Sequence, residues 1–303
     1  MNFDFNVEQT MIMDGIARYI REEYDFDRRR SIIESDSACS DDVWRQFSEL
    51  GWLSIPFDES YGGFGGHADD LAGVMLELGK GLIIEPYMST VVVFGSLLNA
   101  SNNDSLKEQL IPRIINGQYK GSFAYAEEQS RFEISDVKTS AQKCGDGYKL
   151  NGTKIAVIDA KESDGLIVTA RTGGSQYGAE GISLFLVDTS AEGVAVSSYN
   201  TMDSHSSSTI NLENVFVTEA NLIVDEGEGF RHIESCLPQI LLCLSAEALG
   251  IMEVLNRLTV EYSKTRKQFG APIGSFQALQ HRMVDNFMAF EQSKSMAVSY
   301  THL

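Results

Sequence analysis

The chain has 303 residues, of which 43% are hydrophobic and 22% charged. That composition excludes wholesale disorder, and the length suits one large domain or up to three ordinary ones. Its 24 Lys and Arg against 43 Asp and Glu give a formal net charge of −19, so nucleic acid and anionic membrane surfaces are excluded as main partners for want of a cationic footprint. A phosphorylated small molecule, held by a few local cations or backbone N–H groups, is not excluded.

The cysteines, Cys39, Cys144, Cys236 and Cys243, form no CxxC pair and no zinc spacing, and read as reduced thiols of a cytoplasmic protein. The opening Met1-Asn2-Phe3-Asp4-Phe5 has neither a basic segment nor an apolar one, so no secretion signal is expected. The strongly apolar runs at 91–94 and 240–244 are far short of the roughly 20 residues that span a bilayer.

Residues 7–116 read as helical. Met13, Ile16, Ile20 and Tyr24, then Trp44, Phe47 and Leu50, recur at three- and four-residue intervals, and Gly51 is placed to close a helix. A glycine-rich loop at 56–66 precedes a further helical run through Leu71, Val74, Met75 and Leu78. From Gly121 to Val224 the pattern changes to short strands at 148–155, 165–170, 182–188, 194–197 and 209–217, with Asn151-Gly152 read as a hairpin turn. No long helix fits between them, which predicts an antiparallel, barrel-like β-domain. Beyond Gly227-Glu228-Gly229-Phe230, the residues Leu241, Leu244, Ala248, Ile251, Leu255, Leu258 and Tyr262 predict a long helix with that stripe inward. After Pro272 and Gly274, Phe276, Leu279, Met283, Phe287 and Phe290 predict another. The expected class is α+β: a helical domain at 1–120, a β-domain at 121–225 and a helical bundle at 226–303.

The glycine loop could cradle a phosphate through free N–H groups, or be a plain turn; it lacks the Lys-Ser/Thr of a P-loop. The histidines at 67, 205, 232, 281 and 302 form no HxH, HExxH or i,i+4 pair, so no metal site is expected. No GxSxG is present, which removes support for a hydrolase elbow. Tyr262-Ser263-Lys264-Thr265-Arg266-Lys267-Gln268-Phe269-Gly270 concentrates cations at a helix end. They could bind a phosphate or carboxylate bidentately, or simply complement the helix dipole.

The run Arg266-Lys267-Gln268-Phe269-Gly270-Ala271-Pro272-Ile273-Gly274-Ser275-Phe276-Gln277 resembles the flavin-contact signature of the acyl-CoA dehydrogenases. Pro56–Gly65, Ala124-Tyr125-Ala126-Glu127-Glu128, Ser135-Asp136, Asn151-Gly152-Thr153-Lys154 and Gly227–Phe230 resemble further family segments in order and spacing. The resemblance covers nearly the whole chain and is similar in detail to the small subunit of the pimeloyl-CoA dehydrogenase type, a branch that often works as a heteromer. It implies an N-terminal helical domain, a middle β-domain and a C-terminal bundle, FAD as cofactor, and α,β-desaturation of an acyl-CoA thioester. It also implies an electron-transfer acceptor and a homo- or hetero-oligomer with a large subunit. By position, Arg266, Phe269 and Gln277 would contact the diphosphate and adenine end of a FAD held mostly by a partner. Tyr125, Glu127, Ala156 and Ile158 would lie on the flavin, and Ser135 on the substrate.

The chain departs from the family pattern at several of these positions. Ala156 and Ile158 stand where the family commonly places a Trp and a Thr. Glu127 stands at the position matched to a Thr facing the flavin pyrimidine, where a carboxylate would oppose an anionic reduced flavin. The usual C-terminal catalytic Glu has no counterpart, and the alternative position falls near Ile240-Leu241. That leaves Glu247 as a candidate base, or as a helix Glu satisfied by a polar neighbour. Two other readings use the same fold: a non-catalytic structural or regulatory subunit, and a flavin oxidase or monooxygenase. The chain is expected to stop inside its bundle after two long helices, leaving apolar faces uncovered.

Overall fold

The computed structural model describes residues 5–35, 37 and 39–300. The expectations about Met1–Asp4 and about the final Thr301–Leu303 lie outside the described residues. In chain order the helices are α1 (Val7–Glu23), α2 (Phe26–Ile33), α3 (Asp41–Glu49), α4 (Ala68–Gly81), α5 (Gly95–Asn99), α6 (Asp104–Ile115), α7 (Gly229–Thr265) and α8 (Gln277–Tyr300). The strands are β1 (Gly121–Ala124), β2 (Ser140–Cys144), β3 (Gly147–Ile158), β4 (Gly165–Arg171), β5 (Ile182–Asp188), β6 (Val194–Asn200), β7 (Ser206–Thr218), β8 (Lys267–Gln268) and β9 (Ala271–Pro272). They fall into two compact units: residues 30–67 with 84–240, and residues 1–29 with 68–83 and 241–303.

The first unit holds the sheet β1 to β7, ordered β1-β4-β2-β3-β7-β6 with β5 on β4. Its core is apolar and alternates along the strands: Tyr148, Leu150, Val157, Leu166, Val168, Phe185, Ile210 and Val215 are buried together. The expected antiparallel sheet is corrected around β4: β2 pairs with it in parallel at Ser140 and Arg171, and β1 runs parallel to it. Forty residues, including the β2–β3 hairpin, separate β1 from β4, ample for a crossover that reverses direction twice. The expected Asn151-Gly152 turn is also corrected. The β2–β3 turn is Gly145-Asp146, since Cys144 pairs with Gly147. Asn151 and Gly152 lie inside the 12-residue β3, at a register shift between Leu150 and Gly152 against β7. Glycine is required there because a Cβ on Gly152 would sit 2.4 Å from Thr139 Oγ1.

The same unit contains α3, α5, α6 and a buried π-helical run, Tyr87–Phe94, a form that tends to mark functional or strained segments. Ser40 caps α3, and Gly51 follows that helix with φ 78, the left-handed closure expected of a glycine.

In the second unit, Asn6 and Gln9 form a capping box on α1, and Gln9 Nε2 donates to Asp69 and Asp70 at the start of α4. Helices α4 and α7 meet through glycine: a Cβ on Gly79 would lie 2.3 Å from Glu247 O, and one on Gly250 2.0 Å from Leu76 O. Beside this crossing Lys80 pairs with Glu77 and Glu253, and burial pushes the Glu77 carboxyl up despite Lys80.

The expected inward stripe of α7 is corrected. Leu242, Cys243, Ala246 and Leu249 are buried, whereas Leu241, Leu244, Leu255, Leu258 and Tyr262 are exposed. The helix is apolar on more than one face, so periodicity alone selects neither. By length and composition α7 would also pass as a membrane span, a test that long helices of water-soluble bundles pass as well.

Candidate functional site

Where β1 ends, the chain continues through Tyr125, Ala126 and Glu127 beside the last residues of β3. Ile155 N–H donates to Ala126 O at 2.9 Å, and Ser122 Oγ donates to Ile158 O at 2.8 Å. A second register shift, between Lys154 and Val157 against β7, places two residues between consecutive buried positions. Lys154 and Val157 point inward, and Ala156 and Ile158 outward. Ala156 takes φ 52, the conformation through which a bulge re-aims a strand, at a cost of about 1 kcal/mol for a non-glycine. Tyr125, 40% exposed and stacked on Phe123 at 5.2 Å, precedes Ala126, whose carbonyl joins it to the segment that carries the exposed Ala156 and the 56% exposed Ile158. The result is an open apolar platform with backbone at its edge.

Beneath the platform lies a fully buried cation. Lys154, with no exposed surface, donates to Glu127 Oε1 at 2.6 Å, to Thr169 Oγ1 at 2.8 Å and to Tyr125 O at 3.4 Å. Glu127 also accepts from Gln129 Nε2 and from the N–H groups of Lys138 and Thr139. The expected placement of the Glu127 carboxylate against a flavin is therefore corrected: the side chain is 3% exposed and turned into the sheet. Two inward positions of neighbouring segments carry opposite charges, and each would be untenable in the core without the other. Burial raises the Glu127 carboxyl, but Lys154 and the hydrogen bonds to it more than offset this and bring it down to about 2. Burial pushes the Lys154 ammonium down to about 8 against the pull of Glu127, so the pair is ionised at neutral pH.

Ser135 lies in the loop that follows. It is buried, its hydroxyl donates to Glu133 Oε1 at 2.7 Å, and its carbonyl accepts from Arg171 at 2.9 Å. Arg171 gathers five further carbonyls, of Val137, Gly173, Gln176, Gly178 and Glu180, and so braces the rim of an open cleft that Lys138, Gln142 and Lys143 also border. Asp159, next to Ile158, accepts from Ser89 of the π-helical run at 2.6 Å and lies 3.9 Å from His205. The carboxylate sits between serine and histidine, so this is not the order of a nucleophilic triad.

The other expected residues lie in the second unit. Arg266, Phe269 and Gln277 cluster at the β8–β9 hairpin and the start of α8, and all three are exposed. Phe269 and Gly270, with φ 53 and 80, make the two-residue turn, a geometry matched to strand twist. Phe269 is 93% exposed and meets Phe276 edge-on at 6.3 Å. A guanidinium before β8, an aromatic face on the turn and an amide at the start of α8 are thus all exposed. Glu247 is half-buried on α7, its backbone against Gly79.

The glycine loop is a turn and not a phosphate cradle. The N–H groups of Gly62, Gly63, Phe64, Gly65 and Gly66 donate to carbonyls of Glu59, Asp58, Ser54, Phe57 and Ile55, which leaves none of them for a ligand. The thiols of Cys39, Cys144, Cys236 and Cys243 are free, and burial pushes Cys39 and Cys243 up to about 12. Among the described residues no cluster of His, Cys, Asp and Glu could hold a metal ion. Sequence reasoning singled out neither Thr169 nor Arg171. Their signal was weak: a polar residue and a cation within or just ending an otherwise apolar strand, Gly-Leu-Ile-Val-Thr-Ala-Arg.

Three stretches match descriptions of one family: acyl-CoA dehydrogenase N-terminal domain at residues 6–118, middle domain at 122–215 and C-terminal domain at 227–303. The chain is 31% identical over 303 residues to the probable acyl-CoA dehydrogenase YngJ of Bacillus subtilis (strain 168), covering 98% of this chain and 79% of that protein. It is similar to the FAD complex of PigA, at TM-score 0.90 and 25% identity over 99% of this chain and 79% of PigA. It is also similar to a chain of the ChsE4–ChsE5 complex from Mycobacterium tuberculosis, at TM-score 0.87 and 25% identity over 100% of this chain and 78% of that one.

Proposed function

We propose, from the premise that the chain belongs to the acyl-CoA dehydrogenase family, that it works in FAD-dependent α,β-desaturation of an acyl-CoA thioester as one subunit of a heteromeric enzyme. The family comprises flavoprotein oxidoreductases acting on CH–CH groups. The observation that carries the reading is the outward platform of Tyr125, Ala156 and Ile158 at the β3 bulge. Its apolar surface fits one face of an isoalloxazine ring, and the main chain at its edge fits the ring's polar rim. Arg266, Phe269 and Gln277 fit in chemistry the diphosphate and adenine end of a FAD held mostly by a partner: a bidentate cation for a diphosphate, an aromatic face and an amide for adenine. Bound FAD would supply the hydride acceptor; the assembled enzyme supplies position, exclusion of water and the base.

Ile240 and Leu241, at the family's alternative base position, cannot accept a proton. Glu247 sits where two helix backbones are pressed together, which favours a packing role. The similarity to a chain of the ChsE4–ChsE5 complex supports a heteromer, and the pimeloyl-type resemblance suggests a large acyl-CoA dehydrogenase subunit as its other half.

The test is acyl-CoA-dependent reduction of an electron-accepting dye, run on the chain alone and co-expressed with candidate large subunits. Activity only in the mixed assembly is expected. Oxygen consumption in place of dye reduction would identify an oxidase, and full activity of the chain alone would contradict the partner requirement. In the active assembly Glu247→Gln is expected to leave most turnover intact; a drop of about 100-fold or more would identify Glu247 as the base.

A further inference from the structure

The buried ion pair is more than a core contact. Replacing such a pair by well-packed apolar residues is often neutral or stabilising, so stability alone does not account for a lysine with no exposed surface. What distinguishes Lys154 is what its ammonium reaches. Its three partners lie on two segments: Tyr125 O and Glu127 in the loop after β1, and Thr169 Oγ1 on β4. Glu127 extends the grip to the N–H groups of Lys138 and Thr139. The residue after Lys154, Ile155, donates to Ala126 O, and the strained Ala156 follows at once. Tyr125 and Ala156 are therefore within two residues of the pair, and Ile158 follows shortly after.

We propose that the Lys154–Glu127 pair is a positioning device, which fixes residues 125–127 against residues 154–158 so that Tyr125, Ala156 and Ile158 present one flat surface to the flavin ring. The proposal rests on the cofactor reading above. Neither side chain touches the ring: Lys154 is fully buried and Glu127 is turned inward. They act through Tyr125 O, Ala126 and the bulge. An apolar side chain at 154 would fill the space yet remove the ammonium that joins Tyr125 O, the Glu127 carboxylate and Thr169 Oγ1, and so loosen residues 125–127 against residues 154–158. A displacement of an ångström in a positioning shell is sufficient to cost about 100-fold in function.

The test titrates FAD into the full chain in its native assembly, by quenching of flavin fluorescence, and records the visible circular dichroism of the bound flavin beside the melting temperature. Lys154→Met is expected to weaken FAD binding by about 10-fold or more and to change the flavin dichroism. Val168→Ala, a core truncation in β4 that leaves the pair intact, serves as a control for lost stability and is expected to leave both readings unchanged. Equal weakening by the two variants, or wild-type binding by Lys154→Met, would overturn the positioning role while leaving the cofactor reading standing. Absence of FAD binding by the unaltered assembly would overturn both. Should Lys154→Met fail to fold, Thr169→Val decides. Weakened binding that Thr169→Ser restores supports the proposal, and unchanged binding overturns it.

Discussion

Glu127 shows how one side chain ties pH to folding. Its carboxyl is held at about 2, below the ordinary value of 4.5, so it binds fewer protons in the folded than in the unfolded chain. Its contribution is present in full above about pH 4.5 and is lost as pH falls toward 2. Glu127→Gln is therefore expected to remove about 3 kcal/mol at neutral pH and to flatten the acid limb of stability between those values. Urea titrations across that range check this; an unchanged acid limb would show that the carboxylate is not held by Lys154. Sequence placed Glu127 near the right segment but with the wrong orientation, because a motif position says nothing about which way a side chain turns. Lys154 stood in a quoted motif, yet its burial was not legible: nothing in four residues shows that a partner carboxylate awaits 27 positions away. Arg266, Phe269 and Gln277 stood together in one motif, but their exposure around the β8–β9 hairpin was not legible from it. Arg266→Ala is expected to lower the FAD content of the assembled enzyme without changing its melting temperature, measured by flavin absorbance per protomer. Unchanged flavin content would remove Arg266 from the diphosphate.

At the level of elements, β3 and α7 carry the two lessons. Asn-Gly is a strong turn signal, but in β3 it marks a bulge where Thr139 crowds the backbone, a long-range contact that no local pattern encodes. The strand positions themselves were legible because alternation survives on either side of each bulge. In α7 the length was legible and the buried face was not, since apolar residues occur around most of the helix. What selects the face is the glycine crossing with α4. Gly250→Ala would drive a Cβ to within 2.0 Å of Leu76 O, backbone against backbone with no side chain to yield. It is expected to destabilise by about 2 kcal/mol, read from the urea midpoint. A loss below about 0.5 kcal/mol, the usual range of surface substitutions, would mean that the helices separate freely there.

At the scale of the whole molecule, the α+β order of helices, sheet and long helices was legible from composition shifts along the chain, and the family segments fell in that order. The chain presents Leu241, Leu244, Leu255, Leu258 and Tyr262 to solvent on α7, against a background charge of −19. Contiguous apolar exposure of this kind drives association. Leu255→Lys with Leu258→Lys is expected to reduce self-association in light scattering while changing stability by less than about 0.5 kcal/mol. A large loss of stability would show that this face is packed within the folded chain.

The claim on which the rest depends is that this chain builds part of a flavin site completed by an unlike subunit. Anaerobic addition of acyl-CoA thioesters to the purified assembly, followed by visible absorption, tests it most directly. We predict a yellow complex, bleached by substrate, when the chain is co-purified with its large subunit, and little or no bound flavin in the chain alone. A colourless mixed complex, or a yellow and substrate-bleached homo-oligomer of this chain alone, would contradict it.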